Sequence, residues 1–507
     1  MKRDWRVFFV PLWILLSIVL LGFRAEASSY TVKAGGGGNY TSISACAAAA
    51  VAGDTCTVYA GSYGGWTQST SGSAGNPITF KANPGDTVTI TSGIAVSSRS
   101  YITISSFTFN SGATITGNGS TQHIIIGSNH FTGSHVFEIN DGLGSGGSDN
   151  VFSNNIVNIN SHSTTASGVY VYGDRNRFEN NEIYNGSSDC FDIGGKNVVV
   201  RNNYCHDENG SSSGEHIDFV QVIGGGTTPT LSFSLVEANT VKNNVNQAHF
   251  IIIRTGSGPV ADTNIVRYNF AQNLDSSGGN FGGVGDNVPN NWFYNNTIAL
   301  EKQAGENGDG ASWQNAPNGF SLNNIYYKSE ANSWSPTVGN SFGNGDLTFN
   351  ASYSGSWNTP YSSEAMYNTL KNQDPLFANY PTDDSLQSGS PAKGAGVPLT
   401  TVAAGDSGSG TSLVVTNAHG FQPGWAGTQG DWIRIGASAT AQITAINYST
   451  NAITLASAIG RNVGNPVYLY KVSNGDVVLN GANPDIGSHI DTGSNPPPPQ
   501  NLQGNVH

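Results

Sequence analysis

The stretch FENNEIYNGSSDCFDIGGKNVVVRNNYC, residues 178–205, contains two turns of a repeat that runs through most of the chain. Each turn has a short apolar run, an Asn-Asn pair and a second short run, as a strand, a corner and a strand require. The second Asn of each pair, Asn181 and Asn203, keeps one place relative to the strand before it. The same place is taken by Asn129, Asn155, Asn239, Asn269, Asn296 and Asn324, giving successive spacings of 26, 26, 22, 36, 30, 27 and 28 residues. A period of this size marks a stacked architecture in which each unit buries its apolar face on its neighbours. Strand-rich units with Gly and Asn at the corners and no helical periodicity predict an all-β parallel β-helix. Asn side chains stacked inside such a column hydrogen-bond from coil to coil, which keeps Asn in one place. Asn as a mere surface-turn residue does not account for eight occurrences in one strand-relative position.

Composition narrows the function. Of 507 residues only 11% are charged, 65 are Gly and 20 are Tyr, which suits an exported all-β protein. A formal net charge of −13 argues against a nucleic-acid partner, because no basic patch is available to neutralise phosphates. Lys2, Arg3 and Arg6 precede an apolar run from Phe8 to Leu21, and Ala25-Glu26-Ala27 follows as a small-residue cleavage pattern. This reads as a secretory signal peptide over residues 1–27, leaving no membrane span in the mature chain and a secreted, cell-surface or periplasmic location. Four cysteines in an exported chain suggest two disulfides, and Cys46–Cys56 with Cys190–Cys205 is the simplest of three pairings.

Ala-rich, helix-like sequence from Ser42 to Ala52 is expected to plug the open first coil of the solenoid. Together with the Asn coils, AGDTCTVYAGSY (residues 52–63) and GNPITFKA (residues 75–82) resemble secreted right-handed parallel β-helix proteins, including polysaccharide lyases, over residues 29–398. In that group a run similar to QDPLFANYPTDDSLQSGSPAKGAG (residues 373–396) is followed closely by a counterpart of Asp485-Ile486-Gly487. Here a separate segment intervenes. Its strand signals at Ser412–Thr416, Trp432–Ile435, Ala441–Asn447, Ala452–Leu455 and Pro466–Lys471 predict a small inserted β-barrel or sandwich. The expected organisation is therefore signal peptide 1–27, β-helix 28–401, insert 402–472, a return to the β-helix end over 473–490, and a proline-rich tail over 491–507. A capped solenoid of this kind has little need of a partner, so a monomer is expected.

In stacked coils, equivalent residues lie about 4.8 Å apart, so residues distant in sequence form columns. One column, Glu179, Arg201, Glu237 and Arg267, alternates in charge and is expected as an outward stabilising stripe. A second comes from residues 167–174, 189–196, 215–225, 248–256 and 280–286. Alternation places Phe191, Ile193, Ile217 and Phe219 inward, and Asp192, His216 and Asp218 outward, with His249 one coil on and Arg254 ending that strand. The same coils have the two longest spacings, 36 and 30, whose additional residues are expected to wall a cleft.

Stacking is expected to bring Asp192 and Asp218 within about 5 Å. Such a pair suits a Ca²⁺ site on Asp189, Asp192 and Asp218, because hard cations take several carboxylate oxygens. It also suits a retaining glycoside hydrolase. The leading expectation is a polysaccharide lyase that cleaves a uronic-acid glycan by β-elimination. Arg254 or Ca²⁺ would neutralise the substrate carboxylate, and His216 or His249 would take the C5 proton. The resemblance implies a Lys or Arg base instead; Lys196 and Lys242 are nearest, and neither stands in a matching motif. Hydrolysis by Asp192 and Asp218 and a non-catalytic glycan-binding or surface scaffold are the alternatives.

Overall fold

The computed structural model describes residues 27–139, 146–160, 167–209, 217–224, 231–244, 248–255, 262–272, 290–299, 320–327, 341–344, 347–349, 370, 373–380 and 383–489. The expected signal peptide, His216 and the proline-rich tail lie outside these residues. No helix among the described residues is long and apolar enough to cross a membrane.

Among the described residues, three parallel sheets form a right-handed β-helix. The first has 13 strands, from Ser29–Val32 to Ser341–Asn344, and the second has 12, from Gly61–Tyr63 to Leu347–Phe349. The third is shorter, from Ile94–Ala95 to Ala248–Thr255, with Leu231–Ser232 pairing at one side. Alternate residues point inward and stack in columns. On the first sheet Ile104, Ile126, Phe152, Phe178 and Val200 occupy successive rungs and are buried.

Each coil turns two of its corners in the same way. The residue before each ladder Asn adopts a left-handed conformation: Ser128, Asn154, Asn180, Asn202, Ala238, Tyr268, Asn295 and Asn323 have φ of 58°, 58°, 56°, 54°, 55°, 55°, 52° and 56°. Asn tolerates this region better than most L-residues, which explains the Asn-Asn pairs. The ladder Asn itself is buried. In Asn239, Nδ2 donates to Asn269 Oδ1 at 2.9 Å and to the Val200 carbonyl at 3.0 Å. Its Oδ1 accepts from the backbone N–H and Nδ2 of Asn203 at 2.9 and 3.0 Å.

A second ladder, which sequence reading misses, stands five residues earlier. Asn150 N–H donates to Asn176 Oδ1, and Asn264 N–H to Asn291 Oδ1. Between these pairs Ser234 takes the acceptor role for Val198, so the Asn signal is interrupted.

Both expected disulfides are formed, Cys46–Cys56 and Cys190–Cys205. The capping helix is Ile43–Ala49, shorter than expected, with the Ser42 hydroxyl accepting from the Ala45 N–H at 3.2 Å. Between Thr400 and Lys471 six antiparallel strands form a half-barrel rather than a closed barrel or sandwich.

The charge stripe pairs as its order requires, but Glu179, Glu237 and Arg267 are buried and only Arg201 keeps partial exposure. Glu237 and Arg267 are buried where the half-barrel docks. Arg267 donates to Asp431 at 2.8 and 2.7 Å, to Glu237 at 2.7 Å and to the Tyr294 hydroxyl at 2.8 Å. A desolvated guanidinium needs this many acceptors. Asp431 stands 164 residues from Arg267, too far for the stripe's fate to be read from its own coils.

Replacing Asn239 by Ala would strand the two Asn203 donors in the core, and the expected loss is about 3 kcal/mol of unfolding free energy. Denaturant melts of Asn239→Ala against the exposed corner variant Asn243→Ala would check this; equal midpoints would remove the ladder's structural weight.

Candidate active site on the third sheet

The strand Phe191–Lys196 lies between Val169–Tyr172 and Ile217–Gly224. Phe191 and Ile193 point inward, as alternation predicts, and both are fully buried. Asp192 therefore faces out, in register with Tyr170 on one side and Gln221 on the other. Gly173 and Gly195, with φ of 142° and 133°, close the strands that carry Tyr172 and Asp192. A Cβ at Gly195 would lie 2.1 Å from the Gly173 carbonyl, so the coils meet here at a distance only glycine permits.

The register corrects the expected juxtaposition. Phe191 pairs with Val220, which aligns Asp192 with Gln221 rather than Asp218. Asp218 stands three residues earlier, roughly 10 Å along the strand, where its N–H donates to Asp189 Oδ1 at 2.8 Å. It is also fully buried, in a run where Ile217, Asp218, Phe219 and Val220 are all inaccessible. Alternation fails at this point because the strand leaves a corner inside the longest coil. Inside the coil Phe219 stacks on Phe250 of the next strand, with ring centroids 5.8 Å apart.

Of the residues singled out in sequence, Asp189, Asp192 and Asp218 form one electrostatic cluster. Burial pushes the Asp189 carboxyl well above the usual carboxylate range, and the charges of Asp218 and Asp192 add to the effect. Glu208, buried beside the Cys190–Cys205 bridge, is also pushed well up by burial. Asp192 is raised to about 6, by burial first and by Asp218 in addition, while a hydrogen bond from the Tyr172 hydroxyl opposes the rise. Burial and the Asp192 charge raise Tyr172 above the usual phenol value, so it remains a proton donor. His249 is in backbone register with Asp218, and Arg254 with Ile223. Tyr172, absent from the sequence-derived set, was legible only as the last residue of SGVYVY, two positions beyond the rung that meets Asp192.

The donor set does not fit the expected calcium site. Ligands of one Ca²⁺ at about 2.3–2.6 Å must have their oxygens within roughly 5 Å of one another. Asp189, Asp192 and Asp218 do not form such a set; among the described residues the one group of three within 4.8 Å is Cys190, Cys205 and Glu208. Its two sulfurs are joined in a disulfide and are not ligands. One oxygen each of Asp189 and Asp192 is already engaged, by the Asp218 N–H and the Tyr172 hydroxyl.

No protein-family model matches the chain. No curated protein matches it in sequence. Solved structures similar to it include an alginate lyase from Paenibacillus sp. str. FPU-7, at 15% identity and a TM-score of 0.41 over 57% of this chain and 98% of that one. A pectate lyase matches at 18% identity and a TM-score of 0.38, over 76% of this chain and 94% of that one. The tailspike protein of an E. coli bacteriophage, in complex with a pentasaccharide, matches at 12% identity and 0.34, over 82% and 73%. The β-helix is established by its own sheets; at these values no residue-by-residue equivalence follows.

The cluster carries a stability consequence. An acid whose folded-state pKa lies above its unfolded value disfavours folding increasingly as pH rises above the unfolded value. Asp189→Asn is therefore expected to raise the melting temperature, and more near pH 8 than near pH 5. Calorimetric melts at both pH values would check it; an equal or opposite shift would mean that Asp189 is ionised at no cost.

Proposed function

We propose that the protein is an exported polysaccharide-active enzyme that cleaves a uronic-acid-containing glycan by β-elimination on the outer face of the third sheet. The observation that carries this reading is the Asp192–Tyr172 pair. It joins a half-buried carboxylate, raised to about 6, to a buried phenol held in its protonated form on the outward side of the third sheet. In β-elimination a base removes the C5 proton, the C4–O4 bond breaks and the leaving oxygen takes up a proton. Asp192 is ionised above its pKa and is the proposed base. Tyr172, hydrogen-bonded to it, is the proposed acid. Proton transfer between groups already in contact needs little rearrangement. Arg254 is the proposed partner of the substrate carboxylate. No step requires the cation that the donor set does not fit. Export is proposed from the N-terminal pattern of Lys2, Arg3, Arg6 and the apolar run after them, and two disulfides suit an oxidising compartment.

One observation favours a second reading. Hydrolysis by Asp192 and Asp218 loses its support because Asp218 is buried. Glu138, however, occupies the same outward row as Asp192, with Tyr170 between them. Two rungs amount to about 9.6 Å, near the upper end of the separation in inverting glycosidases.

A panel of acidic and neutral polysaccharides, followed by ultraviolet absorbance of the C4–C5 unsaturated product and by reducing ends, tests both readings. The expected result is an absorbing product whose rate rises with pH through about 6. Asp192→Asn is expected to lower kcat by 10² or more, roughly the contribution of one general acid–base group. Tyr172→Phe should slow turnover too, and Glu138→Gln should leave it unchanged. Reducing ends without absorbance, abolished by Glu138→Gln, would replace elimination with hydrolysis. Unchanged properties in Asp192→Asn would leave a glycan-binding scaffold.

A further inference from the structure

The second sheet presents a separate constellation, one corner away from Asp192. Its strands Glu182–Tyr184, Tyr204–His206 and Thr240–Lys242 stack in register, setting Tyr184, His206 and Lys242 in one outward row and Glu182 and Tyr204 in the next. The His206 imidazole is sandwiched between rings, with centroids 5.1 Å from Tyr184 and 4.1 Å from Tyr204, both stacked. Its Nδ1 lies 2.6 Å from Asp207 and its Nε2 3.2 Å from Glu182. Burial alone would lower the His206 pKa, but these two carboxylates raise it. The two acids of this face are thus both committed to the imidazole.

Lys242 is different. It is half-buried and lies over the Phe270 ring at 5.3 Å, with burial lowering its pKa. No carboxylate lies within ion-pair distance of its ammonium among the described residues. The acid that acts on it most, Asp384, does so from beyond ion-pair distance and also accepts from the Ser488 hydroxyl at 3.2 Å. Four arginines of the β-helix, by contrast, pair with acids: Arg175 with Asp149, Arg177 and Arg201 with Glu179, Arg267 with Glu237 and Asp431. A partly desolvated cation whose nearest acid stands beyond ion-pair distance gains from a ligand that brings a negative charge to it. In a chain of net charge −13 it is also a local attractor for anions.

We propose that this face, centred on Lys242 with Tyr184 as its aromatic platform, is a second saccharide-binding site that takes carboxylated sugars. A uronate carboxylate pairs with the Lys242 ammonium. The half-exposed Tyr184 ring offers a stacking surface, and Asn158 and Asn185, bonded to each other at 3.0 Å, lie beside it for sugar hydroxyls. The site lies on a different sheet from Asp192 and uses none of its groups. It therefore binds polymer without cutting it, and its existence does not depend on the reaction proposed above.

The test uses the full-length protein, a uronate oligosaccharide of defined length and its carboxyl-reduced neutral counterpart. Calorimetric titration is expected to show that Lys242→Met binds the uronate at least about tenfold more weakly, the size of one charge-assisted contact, whereas Lys242→Arg retains affinity. Turnover of a short substrate at saturation should be unchanged in both. Amine acetylation read by mass spectrometry localises the effect in the unmodified protein: the uronate should shield Lys242, and the neutral sugar should not. Unaltered affinity in Lys242→Met, or equal shielding by both sugars, or by neither, would overturn the proposal. Binding that persists in a protein found to have no activity would sink the catalytic reading and leave this site standing.

Discussion

The Asn ladder is the interaction on which the remaining structure depends. A solenoid has no single compact core to hold it in register; each coil is located only by its neighbours. Parallel backbone pairing alone allows a strand to slip, and a slip of one residue would turn its inward side chains to solvent. The buried amide of each ladder Asn prevents that. It accepts from the coil before, donates to the coil after, and closes on a backbone carbonyl beneath, so that only one register satisfies all of its groups. The charge stripe and the outward rows of the second and third sheets are aligned because these amides are aligned.

This explains which parts of the structure could be read from residues alone. The ladder was legible because its hydrogen bonds demand one residue type, and a repeated Asn is visible whatever separates the copies. The disulfides and the strands of the half-barrel were legible for the same reason, since spacing and alternation are local properties. The register of the third sheet was not. Between Asn203 and Asn239 the coil takes 36 residues, and nothing in their order shows how many fall before the strand begins. An offset of three residues moved Asp218 from the expected face to the interior. The charged stripe was read correctly as a pairing and incorrectly as a surface, because the acid that covers it arrives from an insert far along the chain.

Burial gives the candidate site its character. Three acids in sequence suggested a cation cradle; the fold buries Asp189 and Asp218 and leaves Asp192 half-buried. Asp189 and Glu208 are pushed towards their neutral forms, which relieves the repulsion that would otherwise disperse the cluster. Asp192, at the boundary, is left with a pKa close to neutral and a phenol in contact. Shifts of this kind concentrate where chemistry is done.

The two corner-forming columns stand a constant five residues apart: Asn150 and Asn155, Asn176 and Asn181, Ser234 and Asn239, Asn264 and Asn269, Asn291 and Asn296. Coil length, which ranges from 22 to 36 residues, must therefore vary entirely in the remaining arc of each turn. That arc includes the third sheet and the loops around it. Mutation can lengthen or shorten these segments, and so redraw the groove, without disturbing the spine that keeps the coils in step. Architecture and specificity are in this way inherited on separate stretches of chain.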